Sequence, residues 1–414
     1  MVKRPRSVLL IGFNIRPLAY SLNKANYIVY AVDFFGDLDL FPFVKDSIIV
    51  MKELNCSYDN LKENYSKYLA QLALKLLNQN KDIDSILIGS GLDDAYEERK
   101  LLVDETKNLD INYLNNELNI VKSARDIEKL YDYLNSQGYK TPFYTSFEKF
   151  NFNKPNLRYP YVLKKKSSAG GINVFKIKDK DTLFDYTKIL ENKMFKPSEW
   201  ITQEYIEGIP ISSTVISDGY ESEVISINRQ IIGEKFLNSP KDFMYCGNIV
   251  PAGLSMEENN LISEISHILT QRLGLRGING FDFVLKDHYP YLMECNPRIP
   301  GSIRASEDCL NLNLLDLHVK CFLPKQWDEI RKLINSSKPK GYTTKLIFFA
   351  PKDIDKKSIA KINEINYIHD KPVPDKNIIK GAPVCSVLFN ANSATESFNG
   401  ARNVIYEINS IIGL

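Results

Sequence analysis

Residues Gly277 to Arg304 read Gly-Ile-Asn-Gly-Phe-Asp-Phe-Val-Leu-Lys-Asp-His-Tyr-Pro-Tyr-Leu-Met-Glu-Cys-Asn-Pro-Arg-Ile-Pro-Gly-Ser-Ile-Arg. The pattern predicts a hairpin: a strand over Phe281 to Leu285, a turn over Lys286 to Pro290 and a second strand over Tyr291 to Cys295. Asp282 falls inside the first strand, and Glu294 and Asn296 flank Cys295 at the end of the second. Side chains alternate along a strand, so Glu294 and Asn296 share a face. With Asp282 facing them, three oxygen-bearing side chains converge, as in sites that hold Mg²⁺ on a polyphosphate. An exposed hairpin with two solvated acids fits less well. Asp282 lies between Phe281 and Phe283, Glu294 follows Leu292 and Met293, and a carboxylate in such company is costly unless paired or metal-bound. A structural ion pair is the competing reading.

Two upstream stretches bear on the choice. Tyr159 to Lys178 reads as a strand, three lysines, a Ser-Ser-Ala-Gly-Gly loop and an alternating strand. Backbone N–H groups of such a loop can approach phosphate oxygens closely, and a lysine at the strand end adds a point charge. Trp200 to Ile211 reads as a strand ending at Gln203 and Glu204, followed by a hinge at Gly208.

Acid-in-strand, then Glu-x-Asn-Pro-Arg-x-Pro-Gly-Ser, resembles the metal-binding end of the ATP-grasp superfamily, which includes biotin carboxylase, D-alanine–D-alanine ligase and purine-pathway ligases. The resemblance is strong over roughly residues 110 to 320, because phosphate loop, hinge and acidic hairpin follow in that order. It implies that Asp282, Glu294 and Asn296 are metal ligands and that Lys164 contacts nucleotide phosphates. Ser167, Ser168, Gly170 and Gly171 would lie in the lid over the triphosphate, with Lys165 and Lys166 solvated. Gln203, Glu204 and Ile206 match adenine-reading positions. Many relatives carry an acid for the ribose where this chain has Pro210, which leaves Glu207 as the substitute. Arg298 matches a position that steadies the acylphosphate, and Arg304 is a weaker candidate for the substrate carboxylate. A helix is predicted over Ser123 to Gln137 with Ser123 as N-cap. Many relatives have Asp-Lys near its start, the lysine reaching phosphates. Here the pair is Asp126-Ile127, so either Arg125 or Lys129 takes that contact, or the contact is missing.

The N-terminal part reads strand (Ser7 to Gly12), amphipathic stretch (Pro17 to Asn26), strand (Tyr27 to Val32) and Asp33, the opening of a doubly wound α/β domain. It lacks G-x-G-x-x-G, which argues against a dinucleotide site. Ile83 to Ile88 is a further strand, ending in Gly-Ser-Gly. Ligands in such sheets bind beyond the carboxyl ends of the strands, which makes Arg16, Ser90 and Asp93 candidate substrate contacts, with loop capping the plain alternative. Beyond the second turn, Ser213 to Ile227 and Gln230 to Phe236 look like successive strands, joined near Gly219 and around Asn228. Leu237 to Leu254 looks irregular, either packed down or lining a site. The expected fold is α/β and α+β: a Rossmann-like domain at 1–115, an ATP-grasp domain at 116–335 with its lid about 155–207, and a small barrel-like β-rich domain at 336–414.

The chain of 414 residues carries 53 basic and 51 acidic side chains, so no basic excess points to nucleic acid. Six cysteines form no C-x-x-C pair and, with four scattered histidines, indicate neither zinc nor a disulfide framework. The first apolar run, Val8 to Ile11, is too short for a signal-peptide core, and no run reaches the length of a membrane helix. A cytoplasmic protein is expected.

The resemblance implies a ligase that uses ATP and Mg²⁺, with Mn²⁺ as the alternative metal. It would activate a carboxylate as an acylphosphate and couple it to an amine. The implied partners are small-molecule carboxylate and amine substrates, without nucleic acid or membrane, and a second copy of the chain. Likeness to archaeal members points to an amino acid joined to a cofactor precursor. Two other readings stand beside it. A bicarbonate-dependent carboxylase is disfavoured by Pro300 and Ser302, where the biotin carboxylase pattern has Gln and Glu. A non-catalytic ATP-binding regulator is disfavoured by the intact Lys164, Asp282, Glu294, Asn296 and Arg298.

Overall fold

A computed structural model of the chain describes residues 4–56, 61, 64–150, 157–166, 170–191 and 196–414. The first sheet is parallel, with strands β1 (Ser7–Gly12), β2 (Ile28–Asp33), β3 (Asp46–Ile49), β4 (Ser85–Ile88) and β5 (Asn112–Tyr113) in the order β3-β2-β1-β4-β5. β1, β2 and β4 are near-continuous runs of buried residues, as a parallel sheet covered on both faces requires. Pro17 starts the helix Arg16–Lys24, where its missing N–H costs nothing. The strand order reverses between β1 and β4, so the crevice beyond their carboxyl ends is bounded by the loops of Arg16 and Asp93. At the end of β2, the Asp33 carboxylate accepts from the backbone N–H groups of Ile15, Phe35 and Gly36, which ties the two neighbouring loops together.

A small antiparallel sheet follows: β6 (Tyr144–Ser146), β7 (Tyr161–Lys165), β8 (Val174–Ile177) and β9 (Trp200–Glu204), in the order β6-β9-β7-β8. The third sheet contains β10 (Ile209–Asp218), β11 (Ser222–Ile232), β12 (Tyr245–Val250), β13 (Arg276–Lys286), β14 (Tyr289–Asn296), β15 (Tyr342–Phe349), β16 (Ile368–His369) and β17 (Pro383–Ala391). Its order is β14-β13-β10-β11-β12-β15-β17-β16. The closing segment holds β15, β16 and β17 together with the helices Lys356–Ile362 and Ala394–Ile411, and its strands continue this sheet through the pairing of Gly247–Val250 with Thr343–Leu346. The helix Met256–Leu273, held by a Ser255/Glu258 capping box, buries Ile262, Ile265 and Leu269 against Ile211, Ile227, Phe281 and Phe283. The same strands carry the hydrogen-bonded polar side chains Ser212, Thr214, Asn228, Gln230 and Asp282, and send Ile216, Ile225 and Ile278 into a second apolar core.

Three local expectations are corrected. The helix foreseen over Ser123 to Gln137 is two helices, Leu118–Arg125 and Ile127–Ser136. Asp126 breaks them, because its carboxylate accepts from Lys129 N and caps the second helix, so Ser123 is not a cap. Asn228 is not a turn. It is fully buried inside β11, where its amide donates to Ser212, Thr214 and Ser302. The stretch read as irregular contains β12.

The six cysteines are free thiols, five of them buried. Among the described residues no helix is long and apolar enough to cross a membrane.

His318 joins three elements. Its Nδ1 accepts from Ile278 N (2.9 Å) in β13, and its Nε2 donates to Leu114 O (3.1 Å) beyond β5. Burial pushes its pKa down to about 4, with the Leu114 bond opposing. Between that value and the ordinary value near about 6.5, the unfolded chain binds a proton that the folded chain refuses. Stability therefore falls as pH drops through this window. From pH about 7 to about 5, urea melts should register a loss of about 2 kcal/mol from this group. His318→Gln should remove that increment. An unchanged pH slope in the variant would assign the acid sensitivity elsewhere.

Candidate active site

The hairpin β13–β14 turns on Asp287 and His288, both with positive φ, as a two-residue primed turn requires. The turn is thus tighter than the Lys286 to Pro290 span expected. A bulge between Asp282 and Phe283 leaves Met293 as the extra residue of β14 and sets Asp282 opposite Glu294, with Gly280 opposite Asn296. Asp282, Glu294 and Asn296 accordingly share a face. Asn296 Nδ2 donates to Asp282 Oδ2 and Gln230 Nε2 to Asp282 Oδ1, both at 2.9 Å. Burial and the charge of Glu294 push the Asp282 carboxyl up to about 7, while Arg298, Asn296 and Gln230 pull it down. Two carboxylates and an amide on one half-buried face fit a divalent cation completed by phosphate oxygens.

The bulge also presents the Met293 carbonyl to Lys164. Lys164 reaches across from β7 in the small sheet and donates to it at 3.1 Å. Burial lowers the lysine pKa to about 8, Glu294 raises it, and Arg125 lowers it further. Lys165 and Lys166 are not simply solvated: they pair with Glu199 (3.2 Å) and Glu128 (2.8 Å). Ser167 and Ser168 lie outside the described residues. Gly170 and Gly171 both have positive φ, and a Cβ on Gly171 would sit 1.9 Å from the Phe243 carbonyl oxygen, so glycine lets this loop lie against residues 241–244. Lys241 Nζ adds a bond to Ile172 O at 2.8 Å.

Arg125 and Lys129 separate clearly. Arg125 is buried at the helix break. Its Nε and Nη2 grip Asp94 at 2.9 and 3.1 Å, and Nη1 bonds Glu294 and the Cys295 carbonyl. Lys129 is exposed and pairs only with Asp126 among the described residues. Arg298, just past the hairpin, pairs through Nε with Asp93. Burial alone would raise the Asp93 carboxyl, but the charges of Arg298 and Arg125 hold it down at about 2. Asp93 and Asp94 thus bring the β4 loop of the first sheet onto the hairpin.

At the hinge, Gln203 is buried. Tyr131 Oη donates to its Oε1 (3.3 Å), and its Nε2 lies 3.5 Å from Met293 Sδ. Glu204 accepts from Phe143 N, Ile206 is buried and Glu207 is exposed.

The remaining candidates go elsewhere. Arg16 is buried and pairs with Asp370 (2.9 Å) and Asp39 (3.4 Å), at the junction of the first sheet with the closing segment. Arg304 pairs with Asp308 (2.5 Å) and Glu307 (3.5 Å) and lies over the Tyr20 ring. Both are held by acids rather than presented beside Arg298. Ser90 contributes its carbonyl to Phe13 N, which is loop closure. Gln230 and Asp94 were not foreseen. The available signals were the alternation of Gln230 with Asn228 along one strand, and the paired acids after Gly-Ser-Gly at a strand end.

Residues 124–302 match the family model described as ATP-grasp domain. An uncharacterised protein of Methanocaldococcus jannaschii is 28% identical over 407 residues, 96% of this chain and 91% of that one. A D-alanine–D-alanine ligase of Flavobacterium psychrophilum is 26% identical over 149 residues, 36% of this chain and 44% of the ligase. Among solved structures, an L-amino acid ligase from Bacillus licheniformis superposes with a TM-score of 0.70 over 98% of both chains at 16% identity, a likeness of fold.

Proposed function

We propose that this protein, whose residues 124–302 match the ATP-grasp domain model, is an ATP-dependent ligase that joins a carboxylate to an amine. One observation carries the reading: Asp282, Glu294 and Asn296 share one face, with Lys164 reaching in from the small sheet and Arg298 held beside them by Asp93.

In this reading Gln203 and the backbone at Ile206 take the adenine edge. Glu204 positions the hinge through Phe143 N. Glu207 stands for the missing ribose acid. Lys164 and the 170–171 loop hold the phosphates and exclude water. A substrate carboxylate oxygen attacks the γ-phosphorus and ADP leaves. The amine then attacks the acyl carbon, and phosphate departs with the carboxylate oxygen. Arg298 steadies the anionic acylphosphate. A Mg²⁺ held by Asp282, Glu294 and Asn296 would neutralise charge across the phosphates, and Mn²⁺ suits the same oxygen set. Ser302 is buried against Thr214 and Asn228, and Pro300 carries no titratable group. Neither supplies the base that bicarbonate chemistry would use.

The test is Mg²⁺-dependent release of ADP and phosphate from ATP, with pooled amino acids, amine-bearing cofactor precursors and bicarbonate as acceptors. Release that requires an organic acid together with an amine supports the ligase. Release with bicarbonate alone, or tight ATP binding without turnover across the panel, counts against it.

A further inference from the structure

Strand β11 works on two faces. Asn228 and Gln230 point toward the hairpin side, where Asn228 bonds Ser302 and Gln230 holds Asp282. Neighbouring side chains of a strand project to opposite faces, so Arg229 and Ile231 point away from the hairpin site. Two apolar cores lie side by side on that far face. Ile227 belongs to the core under the helix Met256–Leu273, whereas Ile231 and Ile249 belong to the core under the helix Ala394–Ile411. Arg229 stands between them along the strand and is exposed.

A cavity of about 280 Å³ opens there. Ile209, Ile231, Ile249 and Phe398 give it apolar walls, and Arg229 and Glu234 line it as well. Ile231 and Ile249 are buried, but Ile209 is 41% exposed at the start of β10. Phe398 comes from the closing helix and is held edge-on by the Phe236 ring at 5.8 Å. Ligand pockets combine apolar walls with a few polar groups that fix orientation, and they usually measure about 300–1,000 Å³. A cavity just below that range suits a ligand of amino-acid size.

Among the described residues, the side chains of Arg229 and Glu234 make no hydrogen bond or ion pair, with each other or with a neighbour. Two opposite charges that do not neutralise each other in one apolar cavity match a ligand carrying both charges and an apolar group. A free amino acid with an apolar side chain has that composition. Residues 208–210, which follow the hinge, also line the cavity. A ligand there touches, from behind, both the strand that presents Gln230 to Asp282 and the segment leaving the hinge.

We propose that this cavity binds a free amino acid with an apolar side chain as an effector of the nucleotide site. Arg229 takes the carboxylate, Glu234 takes the ammonium, and the isoleucines and Phe398 take the side chain. The site goes beyond the ligase reading, since its ligand is bound on the far face of the sheet and is not consumed.

Thermal melting of the full chain with L-leucine, L-isoleucine or L-phenylalanine tests the site without turnover. At about 10 mM, at least one of them should raise the wild-type midpoint by about 2 °C or more. Glycine, isocaproate and leucinamide each lack one of the three features and should not. Arg229→Gln and Glu234→Gln should lose the shift and still bind Mg·ADP within about threefold of wild type. Arg298→Gln should keep the shift. No shift with any of the three amino acids would overturn the site. Shifts that persist in the first two variants and vanish in Arg298→Gln would place the amino acid at the reaction centre and overturn it equally. An isocaproate shift equal to that of leucine would overturn the assignment to amino acids. The effective amino acid should also change the Kd for Mg·ADP by about fivefold or more in wild type and not in Arg229→Gln, because coupling between sites is reciprocal. An unchanged Kd would overturn the effector role. Failure of the ligase reading is seen separately, as absent phosphate release in wild type, and leaves these shifts in place.

Discussion

Glu294→Gln is expected to lower Mg·ATP-dependent phosphate release by about a thousandfold, the scale seen when a charge-stabilising group is removed from a reaction centre. The amide keeps the shape of the side chain and can still accept from Arg125, which also retains Asp94. The change therefore removes one of the two carboxylates facing the proposed metal and little else. ADP affinity without metal should stay within about threefold, since the hinge residues are untouched. The Mg²⁺ concentration for half-maximal activity should rise. Activity within about tenfold of wild type at saturating Mg²⁺ would remove Glu294 from the metal set and leave its pairing with Arg125 as its role.

Arg125→Met should cost about 3 kcal/mol in a urea melt. The guanidinium is buried, yet it holds Asp94 through two bonds and also meets Glu294 and the Cys295 carbonyl. Removing it leaves two acids facing each other across the junction of the first sheet and the hairpin. Both acids are partly exposed, so water recovers some of the loss. Arg125→Lys should fall between, because an ammonium cannot match the two-pronged contact. Lys129→Ala is the control. Its exposed ammonium pairs with a neighbour three residues away, and its loss should stay within about 0.5 kcal/mol. Equal effects at the two positions would contradict the separation drawn between them. If Arg125 also reaches phosphate, Arg125→Lys should raise the Kd for ATP more than that for adenosine.

The hairpin was legible because strands have period two and because acids beside phenylalanines demand an explanation. What stayed hidden was the bulge that brings Glu294 opposite Asp282, since no local residue preference marks it. The turn was blurred because Asp287 and His288 occupy positions where Asn-Gly is the usual signal. The break at Asp126 had a signal, an aspartate before a new amphipathic run, but the hydrophobic spacing on both sides reads as one helix. The fate of Arg16 depends on Asp39 and Asp370, contacts set by tertiary structure that spacing does not reveal, whereas Arg304 pairs with Glu307 and Asp308 three and four residues on in its own helix, a contact that helical spacing does carry.

In the proposed reaction a carboxylate oxygen attacks the γ-phosphorus before the amine enters. Mass spectrometry of the phosphate released from an acid labelled with ¹⁸O in its carboxylate tests it directly. For the acid and amine that support turnover, one labelled oxygen is expected in each phosphate formed. Unlabelled phosphate alongside amide product, or phosphate release at the same rate without the acid, would contradict it.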